Sequence, residues 1–579
     1  MASTAYTSRI VQIGDVPLGG HHPVRIQSMT STNTMDTRAT VEQSVRMIEA
    51  GCEYVRITAP GVREAENLRL IKKELRARGY TTPLIADIHY QPKAALIAAQ
   101  HVEKVRINPG NYVDRKRGRI TYSEAEYNAE IERIHERIRP LIEVCRQHGT
   151  ALRIGSNHGS LSERILLKYG DTPTGMVESA LEFIHICEDL GYRDLVISMK
   201  ASNVKVMVQA NRLLVSRMLE LGMDYPLHLG VTEAGDAEDG RIKSAAGIGP
   251  LLADGIGDTI RVSLTEEPEF EIPVARDIIT AANPDGNAGR LLLGNEYRMD
   301  PFIYSRRNTN AIAGAGAGRP PLVVVSTGGE REEMPPFKAD FKPDLLAFNT
   351  NEPMVTLKRN EPGGESVKPL IIRTEKDLKK NLPGLSPGDL LVFNPGEGTN
   401  AAAMRSWFTR LADEDLSNPV LLKVDYPVLT IDELLVRSAV DSATLLVDGL
   451  ADGLWITAEE VPLADVSELA YGILQATGER ISKTEYIACP SCGRTLFNIQ
   501  ATLQVIKQRT AHLKGLKIGV MGCCVNGPGE MADAHYGYVG AGKGKITLYK
   551  GRQIMKTGIR EELAVDELIR LIKENGDWK

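Results

Sequence analysis

The sequence predicts an α/β fold in three parts. A (β/α)8 TIM barrel is expected over residues 1–284, an inserted second α/β domain, degenerate and barrel-like, over 285–481, and a small C-terminal α+β domain over 482–579. Three observations point there. Eight apolar strand-like runs alternate with helical stretches through roughly 280 residues, a length that suits such a barrel. Five of those runs share one text, an arginine between two aliphatics. Four of the chain's seven cysteines fall between Cys489 and Cys524.

Length and composition bound the rest. At 579 residues the chain is too long for one hydrophobic core. With 42% hydrophobic and 25% charged residues it can bury large ones. A net charge of −6 argues against general nucleic-acid binding. No apolar run reaches the roughly 18 residues of a membrane helix. The stretch from Met1 to Arg9 lacks the apolar region of a signal peptide, and seven cysteines are no secreted disulfide framework. The expectation is a reducing, bacterial cytoplasm, with no membrane and no nucleic-acid partner.

The barrel elements are expected in order. Residues 9–13, a Gly/Pro turn and residues 24–26 read as a hairpin leading into the first strand. Strands follow at 24–29, 54–58, 84–89, 104–108, 151–156, 195–200, 227–232 and 259–264. Helices lie between them at 39–50, 62–78, 92–100, 124–148, 175–190, 204–221 and 243–254.

The shared text reads Val24-Arg-Ile-Gln27, Val55-Arg-Ile-Thr58, Val105-Arg-Ile-Asn108, Leu152-Arg-Ile-Gly155 and Ile260-Arg-Val-Ser263. Side chains alternate along a strand, so the aliphatics face the helix layer and the polar residues face the axis. Arg56 with Thr58, Arg106 with Asn108, Arg153 with Asn157, and Arg261 with Ser263 then point inward. Asp87 with His89, and Ser198 with Lys200, join them by the same parity, and Glu233 closes the seventh run. Arg56, Arg106, Arg153, Lys200 and Arg261 outnumber Asp87 and Glu233. An unpaired buried ion is costly, so the excess calls for a polyanionic ligand at the C-terminal mouth, where such barrels do their chemistry. Arginine's planar fork suits phosphate oxygens. The competing reading places some arginines in rim salt bridges with helix carboxylates. Arg25 carries the same text but is the least secure member. Cys52, Cys145 and Cys187 read as core, and His228 reads equally as barrel lining or packing.

The middle segment opens with a flexible loop at 306–321. Strands are expected at 322–326, 345–349, 370–373, 390–394, 421–424, 444–447 and 454–456, with helices at 400–411 and 431–440. No catalytic constellation stands out. Asp448 and Asp452 read as loop carboxylates, with a metal pair as the competing reading.

The C-terminal part carries Cys489-Pro-Ser-Cys492-Gly-Arg-Thr-Leu-Phe-Asn498, answered by Gly522-Cys523-Cys524-Val-Asn526-Gly-Pro-Gly529-Glu530. Cys489 and Cys492 can point two thiolates into one site, Cys523 can add a third, and the Asn-Gly-Pro-Gly turn can fold Glu530 back toward them. Three soft sulfurs and one hard oxygen suit an iron–sulfur cluster with one labile corner better than structural zinc. An all-cysteine zinc site using Cys524, or a redox disulfide, remains open. Around the motif, strands are expected at 485–487 and 517–520, helices at 496–513 and 561–574, and a hairpin at 545–549 and 553–556.

These residues resemble the 4-hydroxy-3-methylbut-2-enyl diphosphate synthase family of the methylerythritol phosphate pathway, in its three-domain form. The likeness rests on the cysteine motifs and, in order, on Gln27-Ser-Met-Thr30, Val55-Arg-Ile-Thr58, Ala86-Asp-Ile-His89, Arg106-Ile-Asn-Pro-Gly110, Arg153-Ile-Gly-Ser-Asn157, Met199-Lys-Ala-Ser202, His228-Leu-Gly-Val-Thr-Glu-Ala-Gly235 and Gly257-Asp-Thr-Ile-Arg-Val-Ser263. It implies one [4Fe-4S] cluster on Cys489, Cys492, Cys523 and Glu530, with Cys524 left to packing. It implies that Arg56, Arg106, Arg153, Asn157, Lys200, Arg261 and Ser263 hold a diphosphate, with Asp87 and His89 also at the substrate. Glu233 and Glu530 would be catalytic. The implied reaction is the reductive dehydration and ring opening of 2-C-methyl-D-erythritol 2,4-cyclodiphosphate to 4-hydroxy-3-methylbut-2-enyl diphosphate, with electrons from ferredoxin or flavodoxin. The middle domain would position the cluster domain over the barrel mouth. Two-domain family members pair across a homodimer, so one site draws on one chain or on two. The competing functions are a non-redox phosphate-binding barrel enzyme with structural zinc, and an inactive barrel used as a scaffold.

Overall fold

The computed structural model describes residues 6–88, 90–113, 118, 121–282, 300–327, 336–348, 355–396, 401–525 and 527–579. They divide into two compact units. One comprises Tyr6–Gly240, Ile256–Arg276 and Thr484–Lys579, and the other includes Arg241–Gly255 and Asp277–Lys483.

The first unit starts with a hairpin, β1 (Val11–Ile13) and β2 (Val16–Leu18). Eight strands follow: β3 (Arg25–Met29), β4 (Tyr54–Thr58), β5 (Leu84–Asp87), β6 (Lys104–Ile107), β7 (Ala151–Asn157), β8 (Leu195–Lys200), β9 (His228–Leu229) and β10 (Thr259–Ile260). They form one parallel sheet in the order β8-β7-β6-β5-β4-β3-β10-β9. Its two ends meet at a bridge between Ile197 and Leu227, which brings the barrel near closure. The last two strands are shorter than expected. Single bonds continue past them, from Arg261 N–H to Leu229 C=O (3.0 Å) and from Thr232 N–H to Ala201 C=O (3.1 Å). The continuous ladder stops where the chain turns toward Glu233, whose φ of 50° is left-handed.

Register explains how the inner charges stack. Asp87 pairs with Arg106, and Arg106 with Arg153, across three neighbouring strands, so these three side chains share one level inside the barrel. Below them Val11, Ile13 and Leu18 of the hairpin pack on Tyr54, Ile85, Ala151 and Val196. This apolar plug closes the N-terminal end and leaves the opposite end for ligands. Arg25 bonds to Glu53 Oε1 (2.7 Å) and the Pro17 carbonyl (3.1 Å) instead of joining the inner set. The helices are capped by local chemistry. Asp36 accepts from Ala39 N–H ahead of Thr37–Ala50, and a Ser123/Glu126 capping box starts Glu124–His148, which Gly149 ends at φ 65°.

In the same unit a five-stranded sheet runs β19 (Glu485–Ala488), β20 (Lys517–Met521), β21 (Tyr536–Gly542), β22 (Lys545–Lys550) and β23 (Gln553–Arg560), after strands β11–β18 of the other unit given below. β19, β20 and β21 are parallel, and β21, β22 and β23 antiparallel. β21 has no counterpart in the expected elements. Its glycines at 537, 540 and 542 broke the strand pattern. Helices Ile499–Thr510 and Glu561–Glu574 pack one face of this sheet through Leu503, Ile506, Leu568 and Ile572.

The other unit carries β11 (Leu322–Ser326), β12 (Leu345–Phe348), β13 (Thr356–Arg359), β14 (Ser366–Val367), β15 (Leu370–Ile372), β16 (Leu391–Phe393), β17 (Val420–Tyr426) and β18 (Gly453–Ala458). Their order is β14-β13-β12-β11-β18-β17-β16-β15, parallel except for the antiparallel β12-β13-β14 meander. This is a half-barrel. The strand expected at 444–447 is wrong: those residues end the helix Ile431–Leu446 and its C-cap. A short apolar run reads alike in either state. Here the Thr430/Glu433 capping box starts a helix whose buried face reaches Leu446, and Thr444 Oγ1 bonds back to the Val440 carbonyl (3.0 Å). Asp448 and Asp452 are loop carboxylates, as expected, in the turn between that helix and β18, and both are buried in ion pairs. Asp448 accepts from buried Arg405 (2.7 Å), which also grips Asp254 (2.5 Å). Asp452 accepts from Val420 N–H (3.0 Å) and Thr309 Oγ1 (3.0 Å) and faces Arg306.

Candidate active site

At the C-terminal mouth of the barrel lies a cavity, partly open to solvent. The barrel contributes Arg56, Asp87, Arg106, Arg153, Asn157, Lys200, Glu233, Arg261 and Ser263. The C-terminal domain contributes Cys489, Cys492, Arg494, Cys523 and Glu530. The barrel and the C-terminal domain of the same chain thus line it together. His89 and Asn526 lie outside the described residues, so their expected places stay open.

The cations are deeply buried and unevenly paired. Arg56 Nη2 lies 2.8 Å, and Arg106 Nη1 3.2 Å, from the same Asp87 oxygen. Arg106 also donates to the Gly155 carbonyl (3.1 Å). Burial pulls the Arg56 guanidinium down to about 10 against the pull of Asp87. Arg153 has no carboxylate in reach among the described residues. It is 1% exposed, its Nη1 meets His228 Nδ1 at 2.7 Å, and its Nε has no partner. Burial first, then Arg56 and Arg106, push its ionisation well below the usual arginine range. The same causes, burial foremost, act on Lys200. His228 therefore lines the barrel. Burial, then Lys200 and Arg153, keeps it neutral.

The expected charge count needs correcting. Arg261 is matched by Glu271, a residue the sequence reading missed, at 3.1 and 3.2 Å. Glu271 also accepts from Ser28 Oγ (2.6 Å) and Leu264 N–H (3.2 Å). For this arginine the helix-carboxylate reading wins, since Glu271 opens the helix Glu271–Ala282. A further cation was missed as well. Arg494, two residues past the CxxC motif, sits 3.8 Å from Asp87 with Nε and Nη1 unpartnered. Burial opposes its charge, but Cys492, Asp87, Cys523 and Glu530 around it raise its ionisation overall.

The cysteine segments are aimed by their strands. β19 and β20 run parallel with Ala488 beside Val520, and each releases its cysteines from the same edge. Gly522 N–H donates to Cys489 Sγ (3.3 Å), and Ser491 turns the CxxC at φ 67°. All seven cysteines are free thiols. Three thiols and Glu530 line one cavity. Three soft sulfurs beside one hard carboxylate suit an iron–sulfur cluster with an exchangeable corner better than a closed zinc tetrahedron, so the donor set fits an iron–sulfur cluster. Cys524 is exposed and does not pack, contrary to the expectation. It follows Cys523 at the corner where the chain leaves the cavity.

The two domains of this unit meet closely. Asn157 Nδ2 donates to Glu530 Oε1 (3.1 Å), and Ser202 Oγ contacts the Glu530 carbonyl (3.4 Å). Ala234 bridges to Ala488, and Tyr90 Oη donates to the Val525 carbonyl (2.6 Å). Asp236 pairs with Lys507 and accepts from Gln504 (2.9 Å). Gly159 and Gly529 touch backbone to backbone: a Cβ on Gly159 would fall 2.0 Å from the Gly529 carbonyl oxygen. Glu233, buried and strained, faces Glu530. Burial first and the Glu530 charge second raise its ionisation well above the carboxylate range.

Comparison with known proteins follows this geometry. Residues 8–276 match the model of the GcpE TIM-barrel domain, and residues 485–574 that of the GcpE protein C-terminal domain. A protein of Parabacteroides distasonis named 4-hydroxy-3-methylbut-2-en-1-yl diphosphate synthase (flavodoxin) is 49% identical, covering 99% of this chain and 98% of its own length. Proteins of the same name from Akkermansia muciniphila and Leptospira interrogans are 46% and 42% identical, each covering 99% of this chain and 97% of their own.

Proposed function

The chain belongs to the 4-hydroxy-3-methylbut-2-en-1-yl diphosphate synthase family, which is iron–sulfur dependent, and from that we infer how its cavity performs the reaction. The substrate is 2-C-methyl-D-erythritol 2,4-cyclodiphosphate. Written in acid form, two electrons and two protons enter. One carbon–oxygen bond to the diphosphate breaks, one hydroxyl leaves as water, and the two carbons end joined by a double bond. One proton completes the water and the other the freed diphosphate oxygen. The observation that carries this reading is the meeting, in one cavity, of the barrel cations with three thiols and Glu530.

Each residue has a task set by its place. Arg56, Arg106, Arg153 and Lys200 grip the diphosphate and take up the charge that grows on it as the ring opens. Asn157, Ser263 and Arg261 orient it, and Asp87 keeps Arg56 and Arg106 aimed. Glu233 faces the reacting carbons and gives the departing hydroxyl its proton. Cys489, Cys492, Cys523 and Glu530 would hold one [4Fe-4S] cluster, which supplies electrons singly and an iron corner with an exchangeable ligand. The contact of Asn157 with Glu530 ties that exchangeable corner to the substrate seat. The relatives' names favour flavodoxin over ferredoxin as donor. No helix of the described residues is long and apolar enough to cross a membrane, and a reducing cytoplasm suits the open thiols. The middle segment, 285–481, is structural, and the barrel and C-terminal domain of one chain form the site together.

The test is anaerobic reconstitution, with iron and sulfide counted and turnover followed with reduced flavodoxin and with ferredoxin. Four irons per chain and flavodoxin-driven product formation are expected, with roughly hundredfold loss in Glu530→Ala, the scale of a lost transition-state contact. Colourless zinc protein, or an intact cluster without turnover of the cyclic diphosphate, overturns the reading.

A further inference from the structure

Electrons must reach the cluster from outside, and the barrel covers the Glu530 side of the site. The corner after Cys523 reaches the surface. Cys524 is exposed next to Cys523. Tyr90, 48% exposed, hangs over this corner with its hydroxyl on the Val525 carbonyl. Tyr549 packs beside Cys489 and Met521 on the cluster side of the sheet. Its partner across the ladder is Ile554, which therefore shares that face and is 55% exposed. An aromatic side chain at the Cys524 corner and an aliphatic one across the ladder from Tyr549 are thus both left in water.

The hairpin itself is basic, although Arg552 is paired with Asp171 and Lys556 with Glu567. Residues 536–560 carry six Lys/Arg and no Asp/Glu. The segment Thr484–Lys579 carries 14 Lys/Arg against 9 Asp/Glu, a net +5 within a chain of net −6. Lys545 and Arg560 stand directly opposite each other on β22 and β23. Like charges so placed destabilise a sheet. Both are exposed, with no carboxylate partner among the described residues. The pair costs the fold stability and helps nothing inside it, so its benefit lies outside the chain. Lys545 is four residues from Tyr549, about 13 Å along the strand, well inside the footprint of an ordinary protein interface.

Resting on the function inferred above, we propose that this face, Cys524, Tyr90 and Ile554 ringed by the cations of β22 and β23, is the docking surface for an acidic, flavin-bearing electron carrier, namely flavodoxin. The apolar centre seats the flat edge of the flavin against the corner nearest the thiols. The cations steer the acidic carrier and set its orientation, which is what complementary charge does best. Each visit passes one electron: the carrier's hydroquinone is oxidised to the semiquinone and the cluster is reduced, so two visits serve one turnover.

The test compares the reconstituted holoenzyme with Lys545→Glu/Arg560→Glu and with Ile554→Asp. Binding of oxidised flavodoxin, read by flavin fluorescence, needs no turnover and should weaken tenfold or more in the double variant, with a flatter salt dependence. The flavodoxin KM should rise by the same factor while turnover driven by dithionite stays at the parent rate. Unchanged flavodoxin binding in both variants overturns the surface. An effect confined to ferredoxin overturns the choice of partner. Loss of dithionite-driven turnover in the parent would strike the inferred reaction instead, and flavodoxin binding would still judge the surface.

Discussion

Arg153→Met should make the empty protein more stable and the enzyme useless. Arg153 is 1% exposed, its only hydrogen-bond partner among the described residues is neutral His228, and Arg56 and Arg106 beside it oppose its charge more than Asp87 supports it. An ion held this way opposes folding until an anion arrives. Methionine nearly matches its volume, and replacing buried ions with packed apolar residues stabilises proteins by about 1–4 kcal/mol. The arginine's role appears with ligand. A charge-assisted hydrogen bond contributes about 1.5–3 kcal/mol, so inorganic diphosphate should bind about 10- to 150-fold more weakly to the variant. The assay is urea unfolding of anaerobic protein with and without diphosphate. The parent should gain strongly from diphosphate, and the variant should start higher and gain little. A variant that starts lower and gains as much as the parent would refute a cavity built to wait for an anion.

Three further outcomes follow from the structure. Gly159→Ala forces a Cβ into the Gly529 carbonyl and should separate the Glu530 corner from the barrel, lowering kcat at least tenfold with iron content intact, as read by turnover beside iron analysis. Asp452→Ala removes the acceptor for Val420 N–H and Thr309 and the partner of Arg306; it should cost about 3–5 kcal/mol in denaturant unfolding yet leave the rate per folded molecule unchanged. His228 is held neutral by burial and by Lys200 and Arg153, so its folded ionisation lies below the unfolded value of about 6.5. The unfolded chain then binds the extra proton below that pH, and stability falls as pH falls, by about 1.4 kcal/mol at pH 5.5. His228→Asn should remove that part of the pH slope in parallel urea titrations.

The barrel was legible because strand parity is strict. An arginine between aliphatics can face only one way once the helices cover the other, and Arg56, Arg106 and Arg153 all line the cavity. Glu271 was not legible. Only the fold returns the start of its helix to Arg261 and Ser28, the latter 243 residues away in sequence. Arg494 sat in plain view within the cysteine motif, and its unmatched positive charge beside three thiols was the signal that could have found it. The exposure of Cys524 depends on the turn after β20, which no periodicity reports. The meeting of Asn157 with Glu530 spans 373 residues and belongs to domain docking, where local pattern has no voice. The residues 444–447 were misread because burial on all sides erases the alternation that separates strand from helix.

The most direct measurement is the electron paramagnetic resonance spectrum of the reduced holoenzyme as the cyclic diphosphate is titrated in. If the cation grip and the thiols share one cavity, substrate must change the cluster's signal in the parent and leave it unchanged in Arg153→Met at the same concentration. A parent spectrum that stays the same while product forms would place the two halves of the site apart and contradict the account.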